Sequence, residues 1–247
     1  MGILDFFKKE PKVQYSFSDI NVDMHSHLVP GIDDGVRTLD ESLVAIDHLQ
    51  NLGYQKLITT PHINYDYYPN TRDGILKAFE PVQEELIKRG VNLKMDVAAE
   101  YFVDEHFFSL LQKKEIMTMK GNHILIEFPF MHEPSNVQHV LFDLQSNGYI
   151  PIVAHFERYL YWHNNFEMVH QLKEWGAQIQ MNLNSISGHY SKEIKIQAEK
   201  MIKAGVIDFL GSDCHRIQHV QLMENLPQLS IFHKIGNYNK IQNSRLF

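Results

Sequence analysis

INVDMHSHLVPGIDDGVRTLDESLVAIDHLQNLG, residues 20–53, decides the fold class, because it joins a short apolar run, a loop rich in His and Asp, and an amphipathic segment that closes on glycine. Ile20 to Met24 reads as a strand. From Leu39 to Leu52, Leu43, Ile46 and Leu49 follow helical spacing. Thr38 and Glu41 have the spacing of a capping box, and Gly53 stands where a C-terminal glycine belongs. The same unit recurs down the chain. Strand-like runs at Lys56 to Thr60, Leu93 to Ala99, His123 to Phe128, Ile150 to Ala154, Gln178 to Leu183 and Ile207 to Gly211 alternate with helical segments. Those segments run from Arg72 to Arg89 with a bend near Pro81, over a short stretch after Asp104, and from Ser135, which has capping-box spacing to Gln138, up to Gly148. Two more cover Asn165 to Trp175 and Ser191 to Ala204.

About seven alternations of this kind predict parallel strands joined by crossover helices. No Gly-rich phosphate fingerprint follows any strand, which argues against an open nucleotide-binding sheet. Polar and acidic residues instead sit just past one strand after another, where α/β barrels assemble their active sites. The expected fold is therefore α/β, an irregular TIM-barrel-like (β/α)7 barrel. No linker or composition shift divides residues 20 to 220, so one domain is expected over 20–247, with 1–19 as an N-terminal extension.

Composition excludes several classes. At 247 residues with 44% hydrophobic and 21% charged side chains, the chain has the make-up of an ordinary globular protein. A formal net charge of -7 argues against binding nucleic acid by neutralising phosphates. The single cysteine, Cys214, rules out an intramolecular disulfide and fits a reducing, cytoplasmic setting. No apolar run reaches the roughly 20 residues needed to span a bilayer, and Met1 to Pro11 is neither signal peptide nor anchor. Leu4, Phe6 and Phe7 could touch a membrane surface or a partner, although packing on the parent domain is the plainer reading.

The chemistry begins at Asp23-Met24-His25-Ser26-His27, where His25 and His27 fall on one side of an extended segment. Alone, such a pair is common. It gains weight from Asp34 in the following loop, His62 after the second strand, Glu100 after the third, Glu127 at the fourth, His155 after the fifth, and Asp213 and His215 at the last. Charged groups in such places cost several kcal/mol unless paired or metal-bound, and only Arg37, Arg158 and Arg216 lie near in sequence. Imidazole and carboxylate without thiolate suit manganese, iron or zinc, and so many donors imply two or three ions. Paired cations lower the pKa of a shared water, so hydroxide can attack phosphorus in line without a covalent phosphoenzyme. Cysteine-nucleophile chemistry is disfavoured, because no Cys-x5-Arg loop follows Cys214.

Taken together, DMHSHLVPGIDDG (23–35), TTPH (59–62), the Glu100 strand end, LIEFPF (125–130), IVAHFERY (152–159) and GSDCH (211–215) resemble the polymerase and histidinol phosphatase (PHP) superfamily. Within it they are similar to the bacterial tyrosine-protein phosphatases that act on kinases of capsule and exopolysaccharide synthesis. The resemblance covers residues 20 to 220 and implies a distorted barrel holding three metals, manganese foremost. It assigns one ion to His25, His27, Glu100 and Asp213, a second to Glu100, Glu127 and His155, and a third to Asp34, His62 and His215. Glu100 and His155 would act in catalysis with Arg158, which would grip the phosphate; the competing reading pairs Arg158 with Glu157 at the surface. The family carries another phosphate-binding arginine a few residues past the last metal histidine. Here that stretch reads Arg216-Ile217-Gln218-His219-Val220, so Arg216 is the candidate substitute. Tyr65 and Tyr159, with Tyr67, Tyr68 and Tyr161, are candidates to line an aromatic entrance. His48, His139, His163, His170, His189 and His233 match no motif and read as solvated or core residues.

The implied activity is hydrolysis of phosphotyrosine on the tail of a tyrosine kinase. Two readings remain beside it: a small-molecule phosphomonoesterase such as a histidinol phosphatase, and a non-catalytic metal-binding regulatory domain. Neither the oligomeric state nor the general acid is legible.

Overall fold

Each repeated unit folds as strand followed by helix in the computed structural model, which describes residues 14–247. Leu4, Phe6 and Phe7 lie outside the described residues. The strands are β1 Val22–Asp23, β2 Lys56–Thr59, β3 His62–Ile63, β4 Lys94–Val97, β5 Glu100–Phe102, β6 His123–Glu127, β7 Ile150–Val153, β8 Gln178–Asn182 and β9 Phe209–Gly211. All pairings are parallel, in the orders β1-β2-β4 and β3-β5-β6-β7-β8-β9.

Nine segments occupy seven strand positions, because two positions are interrupted. β2 and β3 are separated at Thr60-Pro61, where proline has no N–H for a ladder, and β4 and β5 at Ala98-Ala99. Backbone bonds carry the ladder across the breaks, from Thr60 N–H to Ser26 O at 2.7 Å, Ala98 N–H to Thr59 O at 2.9 Å and Glu100 N–H to Pro61 O at 3.1 Å. The first and last positions are joined by His27 N–H to Cys214 O (2.9 Å) and Asp213 N–H to His25 O (2.8 Å). A curled parallel sheet of the (β/α)7 kind results, as the alternation of the sequence requires.

Helices α1 Phe17–Ile20, α2 Leu39–Leu52, α3 Arg72–Lys88, α4 Glu105–Lys113, α5 Val137–Ser146, α6 Glu167–Glu174, α7 Lys192–Ala204, α8 Ile217–Met223 and α9 Ser230–Tyr238 complete the fold. Thr38 accepts the Glu41 N–H, and Gly53 ends α2 at φ 115°, a left-handed conformation that glycine adopts without steric cost. The expected cap at Ser135 does not form; Asn136 occupies that position without a side-chain bond. Phe17 and Ile20 are buried in the main core, so we propose that the domain starts at α1, slightly ahead of the residue 20 boundary expected from sequence.

Alternation along the strands separates two apolar layers. Leu57, Ile124, Ile126 and Val153 face the helices, while Val22, Met24, Ile58, Leu125, Ile152, Ala154 and Phe209 fill the barrel. The tail closes the opposite end from the candidate site, although its sequence carries little periodicity. Leu246 enters the interior cluster, and its carbonyl accepts from Lys56 Nζ at 2.8 Å. Asn243, fully buried, accepts the Leu210 N–H at 2.9 Å and donates to Val22 O at 2.8 Å and Leu210 O at 2.6 Å. Replacing Asn243 by Ala strands three buried backbone groups and should cost about 2 to 3 kcal/mol. Urea unfolding followed by circular dichroism measures it, and a loss under about 0.5 kcal/mol would contradict this role for the tail.

Candidate metal centre

The strand alternation that fills the barrel with apolar side chains brings nine donors together at its carboxyl end. Glu100, wholly buried, stands at the centre. Its Oε2 lies 3.1 Å from His25 Nε2, 3.4 Å from His27 Nε2 and 3.3 Å from His62 Nδ1, and its Oε1 lies 3.0 Å from His155 Nε2. Asp213 Oδ1 is 3.5 Å from the Nε2 atoms of both His25 and His27, and Glu127 Oε1 is 3.4 Å from His155 Nε2. On the outer side, Asp34 Oδ1 lies 3.6 Å from His62 Nε2 and 3.5 Å from His215 Nε2. Donors cluster as His25, His27 and Asp213; as His25, Glu100 and His155; as His62, Glu100 and Glu127; and as His27, Asp34, His62 and His215. All nine residues expected from sequence thus meet in one place. The clusters share members, Glu100 among them, as it is shared between the first two ligand sets that the resemblance implies.

Five imidazoles with four carboxylates and no thiolate suit borderline divalent cations. Contacts of 3.0 to 3.6 Å between nitrogen and oxygen donors leave room for ions about 2.0 to 2.2 Å from each. The rings are aimed by outer partners. His27 Nδ1 faces Asp33 Oδ2 at 2.8 Å, and Asp33 is itself held by the N–H groups of Gly35 and His62, both at 3.0 Å. His25 Nδ1 faces Gln180 Oε1 at 3.1 Å, an oxygen that also accepts the His155 N–H at 2.7 Å. Gln180 donates onward to Asn182, and Asn182 to Asp213 Oδ2. Such partners fix the ring tautomer so that Nε2 is free to ligate. His155 at φ 30° and Asp213 at φ 49° both occupy left-handed backbone, a local strain the surrounding packing must sustain.

Electrostatics follow from burial among opposite charges. Burial works to raise the Glu100 pKa, but His25, His62 and His155 outweigh it and hold the carboxyl well below the usual range. Burial likewise opposes ionisation of Asp213, yet His215, His25, His27 and Arg158 keep it an anion. For His155, burial and Arg158 disfavour the cation, but bonds to Glu100 and Glu127 prevail and push it up to about 9.

The centre opens into a cavity of about 340 Å³ lined also by Arg158, Arg216, Tyr67, Tyr68, Phe130, His189, Tyr190 and His219. Arg158 Nη1 donates to Asp213 Oδ2 at 3.1 Å and does not pair with Glu157. Glu157 is buried, accepting from Ser185 Oγ at 2.6 Å and the Asn182 N–H at 2.9 Å. Two expected entrance residues are misplaced. Tyr159 is fully buried, its hydroxyl accepting the Phe128 N–H at 3.0 Å, because the turn at Phe156–Arg158 sends residues 158 and 159 in different directions. Tyr65 is exposed with its ring against His106, 5.2 Å between centroids, and does not line the cavity. His189, expected to be a bystander, does line it. Asp33, Gln180, Asn182, Phe130 and Tyr190 carry no signal of their own in the sequence, save that the polar Gln178, Gln180 and Asn182 alternate with Ile179 and Met181 along β8. Cys214 is buried, and burial pushes its thiol far up, as a packed core residue requires.

Residues 21–231 match the family described as capsular polysaccharide synthesis, CpsB/CapC. The chain belongs to this family. It is 30% identical to the tyrosine-protein phosphatase YwqE of Bacillus subtilis over 198 residues, 80% of this chain and 78% of that one. It is 29% identical to the tyrosine-protein phosphatase CpsB of Streptococcus agalactiae over 202 residues, 79% of this chain and 83% of that one. A crystal structure from work on YwqE of Bacillus subtilis and CpsB of Streptococcus pneumoniae, described as unique metal-dependent tyrosine phosphatases, superposes with a TM-score of 0.73 at 28% identity, covering 90% of this chain and 96% of that one. Histidinol phosphate phosphatase from Lactococcus lactis shares the fold, with a TM-score of 0.52 at 12% identity over 84% of this chain and 92% of that one.

Ligation requires neutral imidazoles, so cation uptake should release protons, and apparent affinity should climb with pH toward about 9. The metal-free protein should behave oppositely. A His155 raised above the usual imidazole pKa of 6.5 stabilises the fold fully below that pH, and this contribution is lost as pH rises through about 9. Calorimetric titration in buffers of different ionisation enthalpy tests the first point; uptake with no proton release at pH 7 would exclude His155 as a ligand.

Proposed function

We propose that this protein is a metal-dependent protein-tyrosine phosphatase. The observation that carries the reading is the juxtaposition of the Glu100-centred donor cage with Arg158 on one cavity wall. His25, His27, Asp34, His62, Glu100, Glu127, His155, Asp213 and His215 would hold two or three divalent cations, with Glu100 shared between them. When bound, the cations would supply Lewis-acid charge and an activated water for attack on phosphorus.

The chain's own residues do the rest. Arg158 presents planar N–H donors to two phosphate oxygens and gains as charge develops on them. In this reading Arg216 takes the role of the second arginine that the sequence lacks at its usual spacing, supported by its exposure and its place in the lining of the same cavity. Tyr67 and Tyr68 sit at the mouth, where they can face a substrate ring, Tyr68 stacked on His62 at 5.4 Å. Tyr65 and Tyr159 drop out of the proposed substrate contacts. Manganese is the proposed ion. The substrate we propose is a phosphotyrosine segment of a kinase in capsule or exopolysaccharide synthesis, supported by the family and by relatives named tyrosine-protein phosphatases. No helix among the described residues is long and apolar enough to cross a membrane, and the lone buried thiol accords with our proposal of a cytoplasmic site of action.

Hydrolysis of a phosphotyrosine peptide should vanish on chelation and return with Mn²⁺. Arg158→Ala should lower kcat/KM by about 100-fold or more with the metal retained, whereas His155→Ala should lose both metal and activity. Steady-state rates with metal analysis check these outcomes. A preference above about tenfold for histidinol phosphate would overturn the assignment, and full metal occupancy without turnover would favour a binding module.

A further inference from the structure

The guanidinium carbon of Arg158 lies over two aromatic rings, 4.7 Å from the centroid of Phe130 and 4.7 Å from that of Tyr190. Neither ring is loose. Phe130 stacks on His155 with centroids 5.4 Å apart and on Tyr159 at 5.5 Å, so a partly exposed residue of the loop after β6 is braced from behind by the core. Tyr190 is held through its hydroxyl, which donates to Asp213 Oδ2 at 3.1 Å and accepts from Asn182 Nδ2 at 3.1 Å. The same Asp213 oxygen receives Arg158 Nη1 at 3.1 Å and Asn182 Nδ2 at 2.7 Å.

An unrestrained arginine has many rotamers, and ordering it on a ligand costs affinity. All five of its N–H donors lie in the guanidinium plane, so contacts on its faces leave those edges available to an anion. Among the described residues only one edge atom is engaged, by Asp213. We propose that Phe130 and Tyr190 are positioning residues that fix the Arg158 plane by cation–π contact, so that its remaining in-plane donors meet a phosphate held over the metal centre. This rests on the reading of Arg158 as the phosphate-binding arm. Through its hydroxyl, Tyr190 also ties that arm to the carboxylate of Asp213, whose other oxygen faces His25 and His27.

Inorganic phosphate, used as a competitive inhibitor of phenyl phosphate hydrolysis by the manganese-loaded full chain, probes the arm without involving a substrate ring. Phe130→Leu and Tyr190→Leu should each raise the phosphate inhibition constant about fivefold to tenfold with metal content unchanged. The ring-retaining Phe130→Tyr should stay within about twofold of wild type, whereas Tyr190→Phe, which keeps the ring but loses the hydroxyl that anchors it, should fall between wild type and Tyr190→Leu. In an Arg158→Ala background, Phe130→Leu should add nothing, because the group it positions is gone. An equal effect of Phe130→Leu in both backgrounds, or none in the wild type, would overturn the positioning role while leaving Arg158 as the arm. An unchanged inhibition constant for Arg158→Ala itself would instead remove the reading on which the proposal rests.

Discussion

A carboxylate buried among imidazoles is the constraint on which the rest of this structure depends. Glu100 is wholly out of solvent, and an isolated anion there would cost several kcal/mol even after relaxation. It is retained because His25, His27, His62 and His155 approach it from three other strand positions. Those approaches are possible only if the strands are parallel, in register and curled so that their carboxyl ends converge. The parallel pairings, including His62 opposite Glu100 between β3 and β5, are therefore conditions for the electrostatics as well as products of backbone hydrogen bonding.

The same strands serve two chemistries by depth. Low in the barrel, Val22, Met24, Ile58, Leu125 and Ile152 interlock as an apolar plug. One to four residues further along, at every strand position but that of β8, a His, Glu or Asp follows. The change is confined to one layer, so the polar centre sits on a dry floor that excludes water from beneath and strengthens every interaction among its charges. β8 contributes no donor to the clusters, yet its Gln180 and Asn182 orient His25 and Asp213, so this strand position acts through its neighbours.

Much of this was legible in the sequence, for physical reasons. Apolar runs followed by glycine-closed amphipathic segments reveal β/α units, and a donor just after each run reveals the layer where they gather. The cap at Thr38 was readable because it is local. Interruption at Pro61 could be suspected, but whether the ladder continues past it is set by partners elsewhere in the chain. Side-chain direction in irregular turns was the weak point. Arg158 and Tyr159 are adjacent in sequence, yet one faces the cavity and the other the core, and no periodicity governs a turn of three residues. The roles of Asp33 and Gln180 were hidden because an outer partner is defined by which ring it touches, a tertiary fact.

The tail that seals the barrel floor also sets an order of events during synthesis. Asn243 bonds to Val22 across 221 residues, and Ser212 to Asp23 across 189. The first strand therefore waits, with its edge and carbonyl groups unsatisfied, until residues 212 and 243 have left the ribosome. Contacts of such long range slow folding and prolong the exposure of unpaired strand edges. A nascent chain of this kind is vulnerable to association until residues 212–243 have emerged, and its full donor set cannot assemble before Asp213 does, since His25 and His27 are aligned with it by the bonds to Asp213 and Cys214.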